Sequence, residues 1–154
     1  LKPNRQDFLE MAHDLESNRT VVRAFAEALN ARDFDALDRV VAADFVRHSF
    51  SGPGIGSLAE LKAYFRSEFE AFPDAQETIR DMIAEGDCVA VRLSFRGTQS
   101  GPMGRYAATG KVMAVDYLAI YRIAGGKIVE AWAEWDNLAG LTQLGHIDLG
   151  GGRQ

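Results

Sequence analysis

Apolar residues fall into two regimes along the chain. In the first half they recur at three- and four-residue intervals, and from Gln76 onward they alternate. From about His13, the positions Leu15, Val21, Val22, Phe25, Ala28 and Leu29 form one stripe and predict a helix that Asn30 can end. Residues 1–12, with Pro3, predict a frayed lead-in or a short helix. Asp33 can cap a second helix over residues 34–43, with Phe34, Leu37, Val40 and Val41 on one side. Residues 44–50 read as a short strand, with Phe45, Arg47 and Ser49 pointing one way and Val46, His48 and Phe50 the other. A loop over 51–56 lacks the spacing of a phosphate loop. Ser57-Leu58-Ala59-Glu60 is a capping box opening a third helix with Leu58, Leu61, Phe65 and Phe69 on its buried stripe, and Pro73 closes it.

The alternating half predicts strands over 76–84, 88–98, 111–123 and 127–137. The short turns Glu85-Gly86-Asp87 and Ala124-Gly125-Gly126 pair neighbours antiparallel. The glycine-containing stretch 99–110 is a longer, mobile connection, and Leu138, Leu141 and Leu144 predict one or two helical turns near the end. Helices followed by a curved antiparallel sheet make an α+β layout, a single domain over 1–154 with 1–12 and 147–154 as flexible ends. The hairpin 111–136 carries apolar residues on both strand faces, which predicts that both are covered. Helices can cover only one, so a homodimer is expected to cover the other. Asp116, Glu130, Glu134 and Asp136, set beside Tyr117, Tyr121, Trp132 and Trp135, then suggest an enclosed site, because a polar side chain in a covered sheet is costly unless paired or used.

Composition narrows the function classes. With 47% hydrophobic and 25% charged residues, the chain is an ordinary globular one. A net charge of -5 without a Lys/Arg run argues against a nucleic-acid partner. No apolar run approaches the roughly 18 residues of a membrane span, so no membrane partner is expected. The lone Cys88 reads as a small core residue and fits a reducing, cytoplasmic location. His13, His48 and His146 are far apart in sequence, no Cys/His cluster has metal spacing, and no metal is expected.

Three sets of residues carry a resemblance. Val21-Val22-Arg23-Ala24-Phe25 with Ala28-Leu29-Asn30, Asp35-Ala36-Leu37 and Asp44-Phe45-Val46-Arg47-His48 form the first. Gly97-Thr98-Gln99-Ser100-Gly101, running to Ala108-Thr109-Gly110-Lys111, is the second. Tyr121-Arg122, Gly126-Lys127-Ile128-Val129-Glu130, Trp132 and Trp135-Asp136 are the third. In this order, over roughly residues 15–145, the chain resembles SnoaL-like polyketide cyclases of the nuclear transport factor 2-like superfamily. The resemblance implies a cone-shaped α+β fold with a pocket between helices and sheet, an oligomer of two or four, and no cofactor. It also implies aldol-type ring closure on a small, hydrophobic, carbonyl-bearing molecule, which one carboxyl of raised pKa can catalyse by taking and returning a proton.

The same resemblance supplies site candidates. Glu134 stands near the superfamily's working carboxylate, an aspartate in the cyclases, and is preferred over Asp136. His48 lies on the strand that borders the pocket, where related ketosteroid isomerases carry their base. Phe25 replaces their oxyanion-binding tyrosine, which disfavours isomerase chemistry of that kind. Asp116 either pairs with Arg92 or serves as a second acid/base, and Arg92 is a candidate for a substrate carbonyl or carboxylate. Tyr64, Phe69, Tyr117, Trp132 and Phe25 are candidate aromatic walls, each also accounted for by core packing. The alternatives are a hydroxylase on the same scaffold, an epoxide hydrolase, which in this superfamily needs an Asp–Arg–Asp set that Asp116, Arg92 and Glu134 imitate only loosely, and a binding module without catalysis.

Overall fold

The computed structural model describes residues 4–150. The chain runs α1 (Arg5–Ala31), α2 (Leu37–Val40), β1 (Val41–His48), α3 (Leu58–Ala71), β2 (Gln76–Glu85), β3 (Cys88–Thr98), β4 (Val112–Ala124), β5 (Lys127–Trp135) and α4 (Asn137–Leu144). One five-stranded sheet has the order β1-β5-β4-β3-β2. The expected ends at 1–3 and 151–154 lie outside the described residues, and residues 5–12 continue α1 rather than leading loosely into it.

The helix borders follow local chemistry. After α1 the chain turns at Arg32, which takes the left-handed conformation at φ 59°. Its guanidinium donates to the carbonyls of Leu29, Pro73 and Ala75, tying the helix end to the start of β2. Asn30 does not simply end the helix: its amide donates to the Glu77 carbonyl and accepts from the Glu77 N–H, extending the edge of β2. Asp33 caps the Ala36 N–H at 2.9 Å. Ser57 caps α3 through the Glu60 N–H, while the Glu60 carboxylate reaches back to the Gly56 N–H. Leu58, Leu61 and Phe65 bury the stripe of α3.

Two expectations need correction. The second helix, expected over 34–43, contracts to Leu37–Val40, and Val41 already begins β1 opposite Ile128. The β-branched Val40-Val41 pair favours extended backbone, and pairing with β5 overrides the helical spacing. The sheet is mixed rather than antiparallel: β1 runs parallel to β5, while the other neighbours are antiparallel. No tight turn links β1 to β5, so nothing in their connection forces the antiparallel sense.

Strand alternation then assigns the faces. Val89, Val91 and Leu93 of β3, Ala119, Tyr121 and Ile123 of β4, and Ile128, Ala131 and Ala133 of β5 join Phe25, Leu29, Leu61 and Phe65 in one buried core. The opposite face is open. Ile83, Leu118 and Ile120 lie on it with 70%, 64% and 44% of their surface exposed. The helices thus cover one face of the hairpin, as expected, and the chain leaves the other uncovered. Among the described residues, no helix is long and apolar enough to cross a membrane.

Candidate active site

Between helices and sheet lies a cavity of about 460 Å³. Its wall is largely apolar and aromatic: Phe25, Phe45, Leu61, Tyr64, Phe65, Phe95, Val115, Tyr117, Tyr121, Ala133 and Trp135. A cavity of this size, with few polar groups set in an apolar lining, suits a small organic molecule. The stretch 99–110, expected as a mobile connection, closes part of the wall through Met103 and Gly104. It is held by fully buried Gln99, whose side-chain oxygen accepts from the Thr109 hydroxyl at 3.0 Å and lies 2.9 Å from Nε2 of His146. Ser100 and Gly101 donate to the Ala71 carbonyl at the end of α3. At the mouth, Trp135 Nε1 donates to Asn137, and Asn137 donates to the Ser51 carbonyl.

The ionisable groups on this wall are Glu68, Glu77 and Arg47, with the phenols of Tyr64, Tyr117 and Tyr121. Glu68 follows Leu61 by seven residues and Tyr64 by four, so α3 turns it to the cavity. Burial, then the nearby charge of Glu77, pushes its carboxyl up to about 7, against the pull of Tyr64, Arg47 and Arg32. Glu77 projects inward from β2, and the Tyr117 hydroxyl donates to it at 2.7 Å. Burial raises its carboxyl as well, opposed by that hydrogen bond and by Arg32. Burial and the adjacent glutamates also push the Tyr64 and Tyr117 phenols up, and these remain neutral donors at neutral pH. Arg47 is 7% exposed, and its guanidinium lies 4.1 Å from the ring centre of Tyr64.

The sequence candidates divide by strand parity. Tyr64, Tyr117 and Phe25 line the cavity. Phe69 does not; it borders an adjoining crevice with Glu68 and Glu77. Glu134, His48, Asp116, Arg92 and Trp132 all lie on the open face, away from the cavity, and this corrects their proposed roles there. For Glu134 the reason is its position between the inward Ala133 and Trp135. Its carboxylate accepts from the Ser51 hydroxyl and from the Phe50 N–H at 2.8 Å, and these bonds hold it below the usual carboxylate range. His48 stacks on Trp132, with ring centres 5.3 Å apart, and its Nε2 lies 2.8 Å from Glu130. Arg92 does pair with Asp116, at 3.1 Å, and also with Asp81 at 2.7 Å, but all three are exposed. An Asp–Arg–Asp set thus exists on the solvent side of the sheet, where it encloses nothing. Asp136, the other carboxylate considered, caps α4 through the Ala139 N–H.

Glu68, Glu77 and Arg47 were missed as site residues, although signals for them were present. Glu68 continues the spacing Leu61, Phe65 along the buried stripe. Glu77 alternates with Ile79 on an inward face. Arg47 shares its strand parity with Phe45, as read from the alternation.

The comparisons agree with this architecture. A solved structure of IdmH from Streptomyces antibioticus, a candidate polyketide cyclase, is 30% identical, with a TM-score of 0.74 over 83% of this chain and 98% of that one. AclR from Streptomyces galilaeus, a candidate hydroxylase, is 24% identical, with a TM-score of 0.77 over 87% and 99%. An LEH-like epoxide hydrolase of M. tuberculosis is 16% identical, with a TM-score of 0.70 over 86% and 92%. The last two show a shared fold alone, the nuclear transport factor 2-like α+β fold. Among curated proteins, none matches the chain. The family model for the SnoaL-like polyketide cyclase matches residues 19–144, and the chain belongs to that family.

Proposed function

We propose that the chain is a cofactor-independent acid/base enzyme acting on a small, hydrophobic, carbonyl-bearing molecule, with Glu68 as the group that moves the proton. The observation that carries this reading is the Glu68 carboxyl on the cavity wall together with Glu77, where burial and the Glu77 charge push it up to about 7. Such a group is divided between acid and base at neutral pH, which is the condition for both accepting and returning a proton. The carboxylate takes a proton from the carbon next to a carbonyl. The resulting enolate carbon bonds to a second carbonyl carbon, and the new alkoxide takes the proton back from Glu68. This is an aldol ring closure; stopping after the proton transfers gives a related isomerase step, and reversing it gives a lyase.

Glu77, hydrogen-bonded to Tyr117, raises the Glu68 pKa by its charge and supplies a second ionisable group on the same wall. A binding module needs only the apolar lining, so the convergence of two carboxyls on one cavity favours catalysis. The test uses deuterium incorporation at the carbon next to the carbonyl of 2-tetralone, followed by NMR in heavy water. Wild type is expected to accelerate exchange over buffer, and Glu68→Gln to lose roughly 10²–10⁴-fold of that acceleration. Equal exchange in the two proteins removes Glu68 from the role.

A further inference from the structure

Arg47 presents a charge without a matching partner. It sits on the inward face of β1, on the cavity wall, and is 7% exposed. Among the described residues, no carboxylate approaches it within ion-pair distance, and its Nε is the buried side-chain nitrogen that lacks a hydrogen-bond partner. Its Nη2 donates to the Pro53 carbonyl at 3.1 Å, and the guanidinium lies over the rings of Tyr64, at 4.1 Å, and Trp135, at 5.9 Å. One backbone carbonyl and two ring faces hold the group in place without neutralising it. Glu68 and Glu134 are both close enough to feel this charge, yet neither makes an ion pair with it. A buried cation left this way is costly unless an anion joins it.

We infer that Arg47 is a binding site for an anionic oxygen of the ligand, either a carboxylate or the enolate of a 1,3-dicarbonyl, with the flat apolar body of the ligand held against the aromatic wall. A planar guanidinium suits a delocalised oxygen pair better than a single hydroxyl does. Its seat beside the rings of Tyr64 and Trp135 and its bond to the Pro53 carbonyl place the fork on the cavity wall. The site deepens the proposed function by naming the substrate class, yet anion binding needs neither the Glu68 carboxylate nor turnover, so each can fail without the other.

The experiment is calorimetric titration with 2-naphthoate and with its neutral analogue 2-acetonaphthone. Wild type should bind 2-naphthoate at least about tenfold more tightly, the lower range for a charge-assisted hydrogen bond. Arg47→Met should erase that preference while still binding 2-acetonaphthone, and Arg47→Lys should keep part of it. Should Arg47→Met not fold, Arg47→Gln replaces it under the same criterion. Glu68→Gln should retain the preference, which separates this site from the proton-transfer role. A third ligand, 1-(2-naphthyl)butane-1,3-dione, distinguishes the two sources. If its ultraviolet band moves to the enolate form on binding, the anion is the reaction's own enolate; a preference for naphthoate alone assigns it to a carboxylate. Equal affinity of wild type for naphthoate and acetonaphthone, with no enolate band, overturns the inference. So does a preference that survives in the neutral Arg47 variants.

Discussion

Replacing Glu68 with Gln should make the protein more stable, and only above a particular pH. The folded carboxyl is raised from an ordinary 4.5 to about 7, so folded Glu68 keeps its proton to higher pH than the unfolded chain does. Below about pH 4.5 both states are protonated and the group has no effect on folding. As pH rises toward 7 the unfolded chain ionises first, and stability falls; above about 7 the penalty is complete. A rise of this size corresponds to about 3 kcal/mol, from 1.36 kcal/mol per pKa unit. Gln copies the shape of the neutral carboxyl and does not titrate. Urea unfolding of both proteins from pH 4 to pH 8.5 should therefore give a stability difference that opens through this window and favours Gln by about 3 kcal/mol at the alkaline end. In thermal melts of a domain this size that is roughly 6–12 °C. The slope with pH is the criterion, since a new amide hydrogen bond would shift all points equally. A difference flat across this range would show that Glu68 is not held neutral by its surroundings, and would remove the physical basis of the proposed chemistry.

Glu77→Gln removes the second cause of that raised carboxyl, so the pH at which 2-tetralone exchange reaches half its maximum should fall below about 7; an unmoved midpoint would mean the two carboxyls do not interact. Glu134→Gln should leave exchange unchanged, because the side chain lies outside the cavity. It should destabilise the protein at pH 7, because a carboxylate held low in the fold contributes stability above the ordinary carboxylate range. Urea unfolding should show that loss closing as pH falls below about 4, and an exchange defect would return Glu134 to the site. Ile83, Ala90, Ile120 and Trp132 face one another in successive strand pairs across the open face of the sheet, and we expect a homodimer to cover them. Sedimentation should find a dimer in wild type and a folded monomer in Ile120→Glu, whereas a monomeric wild type refutes the assignment.

Most of the fold was legible because its signals are local. The capping box at Ser57 and the turn at Gly125-Gly126 act over a few residues, and the β3 borders fell at the predicted positions 88 and 98. The site was less legible because parity divides a strand into two sets without saying which one faces inward. In β4 one set is Val115, Tyr117, Ala119 and Tyr121, and the other is Ala114, Asp116, Leu118 and Ile120; both contain large apolar residues. Ala133 and Trp135 on β5 settle the question only once they are seen to line the same cavity as Phe25 of α1 and Leu61 of α3. A choice made on β5 also propagates, because His48 pairs with Trp132 and Leu118 with Glu134. One inverted face therefore moved several candidates to the wrong side together.

Arg47 and Glu68 illustrate the remaining difficulty. Their inward positions follow from spacing alone, Arg47 from Phe45 and Glu68 from Leu61. A charged residue on a buried stripe is ordinarily read as the exception that solvates itself at an edge. What distinguishes these two is a long-range property: among the described residues the cation makes no ion pair, and burial and a second carboxyl outweigh the pull of Arg47 and Arg32 on Glu68. Neither fact exists until β1, β2 and α3 enclose the same volume. The electrostatic mismatch on which the proposed chemistry rests is therefore a product of tertiary structure, and it would vanish if either residue paired with the other. An ion pair between them would hold Glu68 ionised at low pH and occupy the guanidinium, leaving neither a proton carrier near neutrality nor a site for an incoming anion.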